Sequence, residues 1–505
     1  MTDLLRRGSA AALALMLGAC AAIPADHPAV TEHDAATLAL APDIALAGQA
    51  WPTAHWWTSY NDTQLDALIA RALARQPSLA VAHARLLEAG AALDASNAQA
   101  GANVGADAGA NRQRYSGNGL FPAPIGGAYY NDVALQLKAS YDFDWWGKHR
   151  AMIAASLGEF KARLAEQAQA EQLLAAAVAQ SYFRLQALWA RAANTQALAD
   201  TERAIVGDKA RRIASGLARA DEQRSAELDL AHLGETAAQL ATEAGREREV
   251  LRALVGGAGD ALAGLAPRGA PEQVHALPPT LGLALLARRP DLQAARYRVE
   301  ASLGKVAAAQ AAFYPDINLS AAFGLDAVSL GTLLHPNSRT LLVGGALELP
   351  LFDSGRLSAQ LQSLRAQRDE VIADYNRSVL GALGEVAQEG ITLQGTERQL
   401  QAQQASIDAS AALLRNVRQR RQQGLADNAA VLSAQLLVQR QQDSRLQLLA
   451  QQRQAEVALI KALGGGYETS PASAALAPAA APIPFTSASA TAAAPASPSL
   501  SSTRQ

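Results

Sequence analysis

Two carboxylates two positions apart, Asp142 and Asp144, come closest in this sequence to an acid/base pair. Such a pair needs both groups to converge on one reacting atom. These two sit at the end of a stretch, Val133 to Asp144, in which apolar and polar residues alternate. A period of two puts both on the polar face of a strand, which suits solvated groups better than a catalytic site. Other chemistry is sparse. The eight histidines are scattered, and the three methionines, Met1, Met16 and Met152, offer no relay for soft metals. No Walker loop, HExxH, GxSxG or dinucleotide fingerprint occurs. The net charge of −2, with no basic tail, gives no support to a nucleic-acid partner. A single cysteine, Cys20, excludes an intrachain disulfide and leaves no cysteine-based metal site. No catalytic residue, metal or cofactor is expected.

Cys20 has a context of its own. Arg6 and Arg7 form a basic region, and Ala10 to Leu17 an apolar one of signal-peptide length. That run is too short for a bilayer span, which takes about 20 apolar residues. It ends in Leu17-Gly18-Ala19-Cys20, which resembles the lipobox of bacterial lipoproteins. The resemblance implies cleavage before Cys20 and acylation of its thiol. Each methylene buried in lipid contributes about 0.8 kcal/mol, so several acyl chains anchor firmly. Ala21, where inner-membrane lipoproteins often carry Asp, favours the outer membrane. A small buried thiol closing an ordinary signal is the alternative.

The elements around these residues come from a sequence that contains itself twice. Pro77 and Pro290 open similar segments 213 residues apart. Gly147-Lys148 and Gly355-Arg356, Gly216-Leu217-Ala218 and Gly424-Leu425-Ala426, and Gly256 and Gly464 all stand 208 apart. A constant offset over such a length indicates a duplicated half-molecule. The five-residue difference falls between the two strands of each half, where a surface loop tolerates it.

Each half holds two strand patterns, at about 101–114 and 129–144 in the first and 315–327 and 341–352 in the second. Val133, Leu135, Leu137, Ala139, Tyr141 and Phe143 alternate with mostly polar residues, Ile317, Leu319, Ala321, Phe323 and Leu325 alternate with Asp316, Asn318, Ser320, Ala322 and Gly324, and Leu341, Val343, Gly345, Leu347, Leu349 and Leu351 form a fourth run. Runs of about 10–12 residues with one polar face fit tilted outer-membrane strands. Tyr129, Tyr130, Trp145, Trp146, Phe313 and Tyr314 stand at strand ends, where an aromatic girdle belongs. A half-buried sheet in a soluble protein shows the same alternation. Two matched pairs behind an export signal favour the barrel, but four strands cannot close one, so several copies must combine.

The rest is helical. Hydrophobic residues make up 50% of the chain but aromatics only 5%, with Ala dominant, a composition for long helices rather than large globular cores. From Gly147 to Gly216, and again from Gly355 to Gly424, no proline intervenes. Each stretch is long enough for a helix of about 100 Å. Leu174, Val178, Leu185 and Leu188, then Leu432, Leu436, Leu446, Val457 and Ile460, recur with partial heptad spacing interrupted by polar residues, as for helices lining water. From Thr469 the sequence is Ala, Pro, Ser and Thr, which cannot offset ordering entropy. The expected divisions are a signal (1–19), an anchor and linker (20–55), a first repeat (56–256), a linker (257–278), a second repeat (279–464) and a disordered tail (465–505).

These residues resemble the outer-membrane factor (TolC-like) family, in its lipoprotein efflux-channel branch. The resemblance runs from Trp56-Trp57 to Gly464 and rests on Phe143-Asp144-Trp145-Trp146-Gly147-Lys148, Arg288-Arg289-Pro290-Asp291, Phe313-Tyr314-Pro315 and Pro350-Leu351-Phe352-Asp353-Ser354-Gly355-Arg356. It implies a mixed α+β membrane protein, a homotrimer with a 12-stranded outer-membrane barrel above a helical periplasmic tunnel. It also implies a periplasmic adaptor, an inner-membrane pump of the RND type and outer-membrane lipid as partners. The adaptor-facing tips correspond to Arg212, Gly216, Leu217 and Ala218 and to Arg421, Gly424, Leu425 and Ala426. Some relatives gate the tip with rings of aspartate. Here the matching position carries Ala430 and Ser433, leaving Asp221, Glu222 and Asp427 as nearby acids for a gate or lumen. The function implied is a passive conduit for small toxic compounds. A protein-secretion channel and a coiled-coil surface lipoprotein without a pore are the rivals.

Overall fold

In a computed structural model of the protein, residues 23–33, 51–257, 259, 261–269 and 288–467 are described. Cys20 with the signal before it, most of the linker between the repeats and the Ala/Pro/Ser tail lie outside the described residues.

The helices come in matched sets. After a short 3-10 turn at Trp56–Tyr60, α1 spans Thr63–Arg75 and α2 Pro77–Gln99. Asp62 caps α1 by accepting from the Gln64 and Leu65 amides, and Pro77 supplies the fixed φ that suits the first position of α2. Strands β1 (Asn103–Arg114) and β2 (Tyr129–Asp142) follow, then α3 (Lys148–Ala214) and α4 (Ala220–Leu254). The second half repeats the plan with α5 (Pro290–Ala311), β3 (Asp316–Ala327), β4 (Arg339–Glu348), α6 (Arg356–Gln422) and α7 (Asn428–Ala462). Helices α3 and α6 are each 67 residues long, and α4 and α7 each 35. Equal lengths at equal offsets are what a duplication leaves behind. At 1.5 Å per residue the longer pair reaches about 100 Å.

The same glycines end the same helices. Gly216, Gly256, Gly424 and Gly464 all have φ between 65° and 93°. At the ends of α3 and α6 the Leu217 amide bonds the Arg212 carbonyl and the Leu425 amide the Arg420 carbonyl, each at 2.8 Å. The amides of Gly216 and Gly424 bond Ile213 and Arg421. This double bond pattern closes a helix through a left-handed residue, a conformation that favours glycine.

The four strands form one antiparallel sheet in the order β1-β2-β3-β4. The second strand ends at Asp142 rather than Asp144, and the fourth spans Arg339–Glu348 rather than 341–352. The next pair would be Pro315 with Leu349, and neither Pro315 nor Pro350 has an amide to donate, so the ladder stops at the Asp316–Glu348 pair. The second hairpin loop, 328–338, is shorter than the first, 115–128, which absorbs part of the change in offset.

Helix α3 is the spine, packed against α2, α4, α5 and α7, while α6 packs against α5 and α7. The largest core lies midway along it, where Trp56, Trp57, Tyr60, Leu65, Ile69, Tyr182, Phe183, Leu185, Leu251, Val457 and Ile460 meet. Just below the sheet α3 and α5 touch backbone to backbone. A Cβ on Gly158 would come within 2.9 Å of the Tyr297 carbonyl oxygen, and one on Gly304 within 2.8 Å of the Ala151 carbonyl oxygen. Among the described residues no helix is long and apolar enough to cross a membrane.

Candidate functional site

The sheet register sorts its side chains cleanly. Leu135 stands between Ala108 and Leu325, Leu137 between Ala106 and Phe323, and Ala139 between Val104 and Ala321. Across the next ladder Ala321 faces Val343, Phe323 faces Leu341 and Ile317 faces Leu347. Opposed residues share a face, so away from the loop end one side of the sheet is apolar. Leu137, Phe323, Leu341 and Val343 remain exposed in the single chain. The other side carries Asp107, Gln136, Lys138, Ser140, Asp142 and Asn318, with Lys138 and Asp107 ion-paired at 3.2 Å. The 12 residues of β1 extend about 40 Å, which a tilt of about 40° turns into about 30 Å of height. That is the thickness of a bilayer's hydrocarbon, about 30 Å. Among the described residues, strands β1 and β4 each have one neighbour, so both sheet edges are open.

Aromatic residues stand at both ends. Tyr129 and Tyr130 lie at the loop end, and Trp145, Trp146 and Tyr314 where the strands meet the helices. Trp146 stacks on Tyr314 at 4.6 Å and 13°, and its indole N–H donates to the Pro315 carbonyl at 2.8 Å. Trp145 is exposed. Phe313 does not join this set. It is 3% exposed, packed with Val306, Leu357 and Leu361, because it closes α5 on the side facing the helices.

Asp142 and Asp144 have separate jobs. Asp142, on the polar face, accepts from the Asn318 side chain. Asp144 lies past the strand and caps α3, accepting from the amides of His149 at 2.9 Å and Arg150 at 3.0 Å. Partial burial would raise its pKa, but those amides and the Arg150 guanidinium hold it below the usual carboxylate value. Asp353 caps α6 in the same way through Leu357 and Gly355. Among the described residues no cluster of three metal-ligating side chains occurs.

The two helical tips carry matched features and one asymmetric bond. Leu217 and Leu425 are 70% and 64% exposed. In this type of helix ending the residue after the glycine usually packs back on the last turn. Here the last turns offer Arg212 and Arg420 instead, and the leucines point outward. Ala218 and Ala426 are half-buried beside them, and Arg421 is exposed. Arg212 bonds Asp427 at 2.6 Å, and Asp427 also accepts the Ala430 amide at 2.9 Å to cap α7. Asp221 is taken up by Arg219. Glu222 and Ser433 are exposed. Above the tip, Arg191 grips Asp443 with two bonds of 3.2 and 3.3 Å, and Asn194 bonds the Gln439 carbonyl at 3.0 Å.

Part of the stretch expected as anchor and linker, 20–55, is packed on the helices. Residues 23–33 are strapped along α6. Asp26 pairs with Arg368 and Arg365, the Ala29 amide bonds Asp369 at 3.0 Å, and the His33 amide bonds the Asn376 side chain at 2.9 Å. The Arg368 hydrogen bond holds the Asp26 carboxyl below its usual value. Ile23 packs on the cluster around Phe313. These partners stand some 340 positions apart, as Ala29 and Asp369 do, so no local pattern links them.

Comparison with known proteins came down on one side. The outer membrane efflux protein family matches residues 68–257 and 282–465, one segment in each repeat. The multidrug resistance outer membrane protein MdtP of Shigella flexneri is 36% identical over 466 residues, covering 90% of this chain and 95% of that protein. The crystal structure of the outer membrane protein VceC from Vibrio cholerae superposes with a TM-score of 0.74 at 31% identity, covering 83% of this chain and 100% of that one. The Campylobacter jejuni CmeC outer membrane channel gives a TM-score of 0.77 over 90% of this chain and 96% of that one, at 20% identity, a likeness of fold alone.

Proposed function

We propose that this chain, which belongs to the outer membrane efflux protein family, is one third of a passive outer-membrane duct for small toxic compounds. The observation that carries this is the sheet. Its four strands have an apolar face, an opposite face that is polar on β1, β2 and β3, and, among the described residues, two open edges. Lipid cannot satisfy an open edge, and four strands are too few to close. Three copies joined β4 to β1 give twelve strands, with the apolar faces outward and the polar faces around water.

Below the barrel the paired long helices continue the wall into the periplasm. The exposed Leu217 and Leu425 suit contact with a periplasmic adaptor, and through it with an inner-membrane pump of the RND type. In this reading the duct is passive, and the pump supplies the drive and most of the substrate choice. The name of its relative MdtP supports multidrug cargo. An acyl group on Cys20 would stay near the barrel base. Three residues of chain reach at most about 11 Å from Ile23, which is held beside the sheet-to-helix junction.

Single-channel recording in planar bilayers tests this reading. Discrete, mostly closed ion conductance is expected. Its absence in several lipid compositions would return the chain to the pore-free surface lipoproteins.

A further inference from the structure

The loop end of the apolar face is not apolar. Arg112 and Arg114 of β1 stand opposite Asn131 and Tyr129, on the side shared by Val104, Ala106 and Ala108. Both guanidinium groups lie over the Tyr129 ring, at 5.5 and 6.0 Å. Arg339 of β4 stands opposite Leu325, on the same side and at the same end. All three are exposed, and among the described residues none has an ion-pair partner. The carboxylates of that end, Asp132 and Asp326, sit on the other face, opposite Asn111 and Ala134. At this end charge is thus sorted by side, bases outward and acids inward. It is also sorted by end, because the helix end of the apolar face carries Tyr141, Ile317, Leu319 and Leu347 and no charge.

Joining β4 to β1 would set Arg112 and Arg114 beside Arg339 of the partner subunit at each junction. We propose that these three arginines form a binding site, repeated at every subunit junction, for phosphate-bearing glycolipid headgroups of the outer leaflet. Guanidinium groups bind phosphate with paired, charge-assisted hydrogen bonds. Tyr129 holds two of them by cation–π contact at headgroup level, where an aromatic ring is at home. Phosphorylated glycolipid is confined to one leaflet of an outer membrane, which matches the restriction of the cluster to one end. The site rests on the barrel reading above.

The test is native mass spectrometry of the full-length protein released from mild detergent after incubation with bisphosphorylated lipid A. The wild type is expected to retain lipid A, and the R112Q/R114Q/R339Q variant to lose at least about tenfold of it. K138Q, on the opposite face, should retain it like the wild type, and dephosphorylated lipid A should bind neither well. Equal retention by the triple variant would overturn the site. Displacement by millimolar inorganic phosphate would also overturn it, showing a free-anion site. Conductance of the same sample separates the two claims. Conducting trimers that ignore lipid A sink the lipid site alone, whereas absence of trimers and conductance sinks the channel reading beneath it.

Discussion

Arg212 and Asp427 join the two helical tips of one chain through a 2.6 Å ion pair, and the duplication supplies no second copy of it. The positions equivalent to Arg212 and Asp427 in the other repeat are Arg420 and Arg219, which repel. The tie therefore exists at one of the two junctions that pseudo-symmetry offers. An exposed pair contributes about 0.2–1 kcal/mol and a helix cap about 1 kcal/mol. R212Q and D427N, which keep a capping side chain, should each raise open probability in single-channel records by a few fold. D427A should do so further and speed hydrogen exchange over 424–430. Unchanged gating in all three would show that the tie does not hold the tip.

The same pair sets a pH dependence. The Ala430 amide, more than the Arg212 guanidinium, holds the Asp427 carboxyl below its ordinary value of 3.8. A depressed carboxylate contributes stability above its unfolded pKa and loses it as pH falls through the folded one. The closed tip should therefore be insensitive to pH from neutrality down to about 4, and open as pH falls below that range. Conductance recorded between pH 7 and 3 checks this. Opening between pH 7 and 5 would point to other groups.

The two faces of the sheet should respond oppositely to charge. Leu137→Arg, on the apolar face, should cost about 2–4 kcal/mol and reduce heat- and detergent-resistant trimers. Gln136→Arg, one residue away on the polar face, should leave trimers intact and shift ion selectivity toward anions. Equal damage from both would contradict the assignment of faces.

Turn glycines should separate by surroundings rather than by φ. Gly424 has φ 73° and open space around it, so G424A should cost about 1–2 kcal/mol from strain alone. Gly464 has φ 93°, and a Cβ there would overlap the Arg288 carbonyl. G464A should be far more damaging, read as loss of the folded protein in the outer-membrane fraction. Similar melting curves for the two variants would refute the distinction.

Cutting the N-terminal strap should loosen it without unfolding the helices. Arg368 is 5% exposed and holds Asp26, so R368A should expose residues 23–33 to protease while circular dichroism stays unchanged. Protease resistance equal to the wild type would show that Asp369 and Asn376 suffice.

What the sequence made legible was local. Alternation around Leu135 and Leu137, the repeated Gly216 and Gly424, and unbroken helical runs each follow from neighbours in the chain. Alternation overruns the strand ends because it continues through Phe143 and Leu351 after strand pairing has stopped. Phe313 turns to the helices, and in sequence an aromatic at a strand end looks the same whether it turns to lipid or to helices. The close approach at Gly158 and Gly304, the Asp26–Arg368 strap and the Arg212–Asp427 tie all depend on partners more than a hundred residues away. One sequence carries no periodic sign of such partners.

Three chains are expected to close one barrel through β1 and β4. Native mass spectrometry of protein extracted gently from the outer membrane, without cross-linking, tests it most directly. A single dominant species of three chains is expected. A species of one chain that remains folded and soluble in detergent, with its sheet edges unpaired, would contradict it.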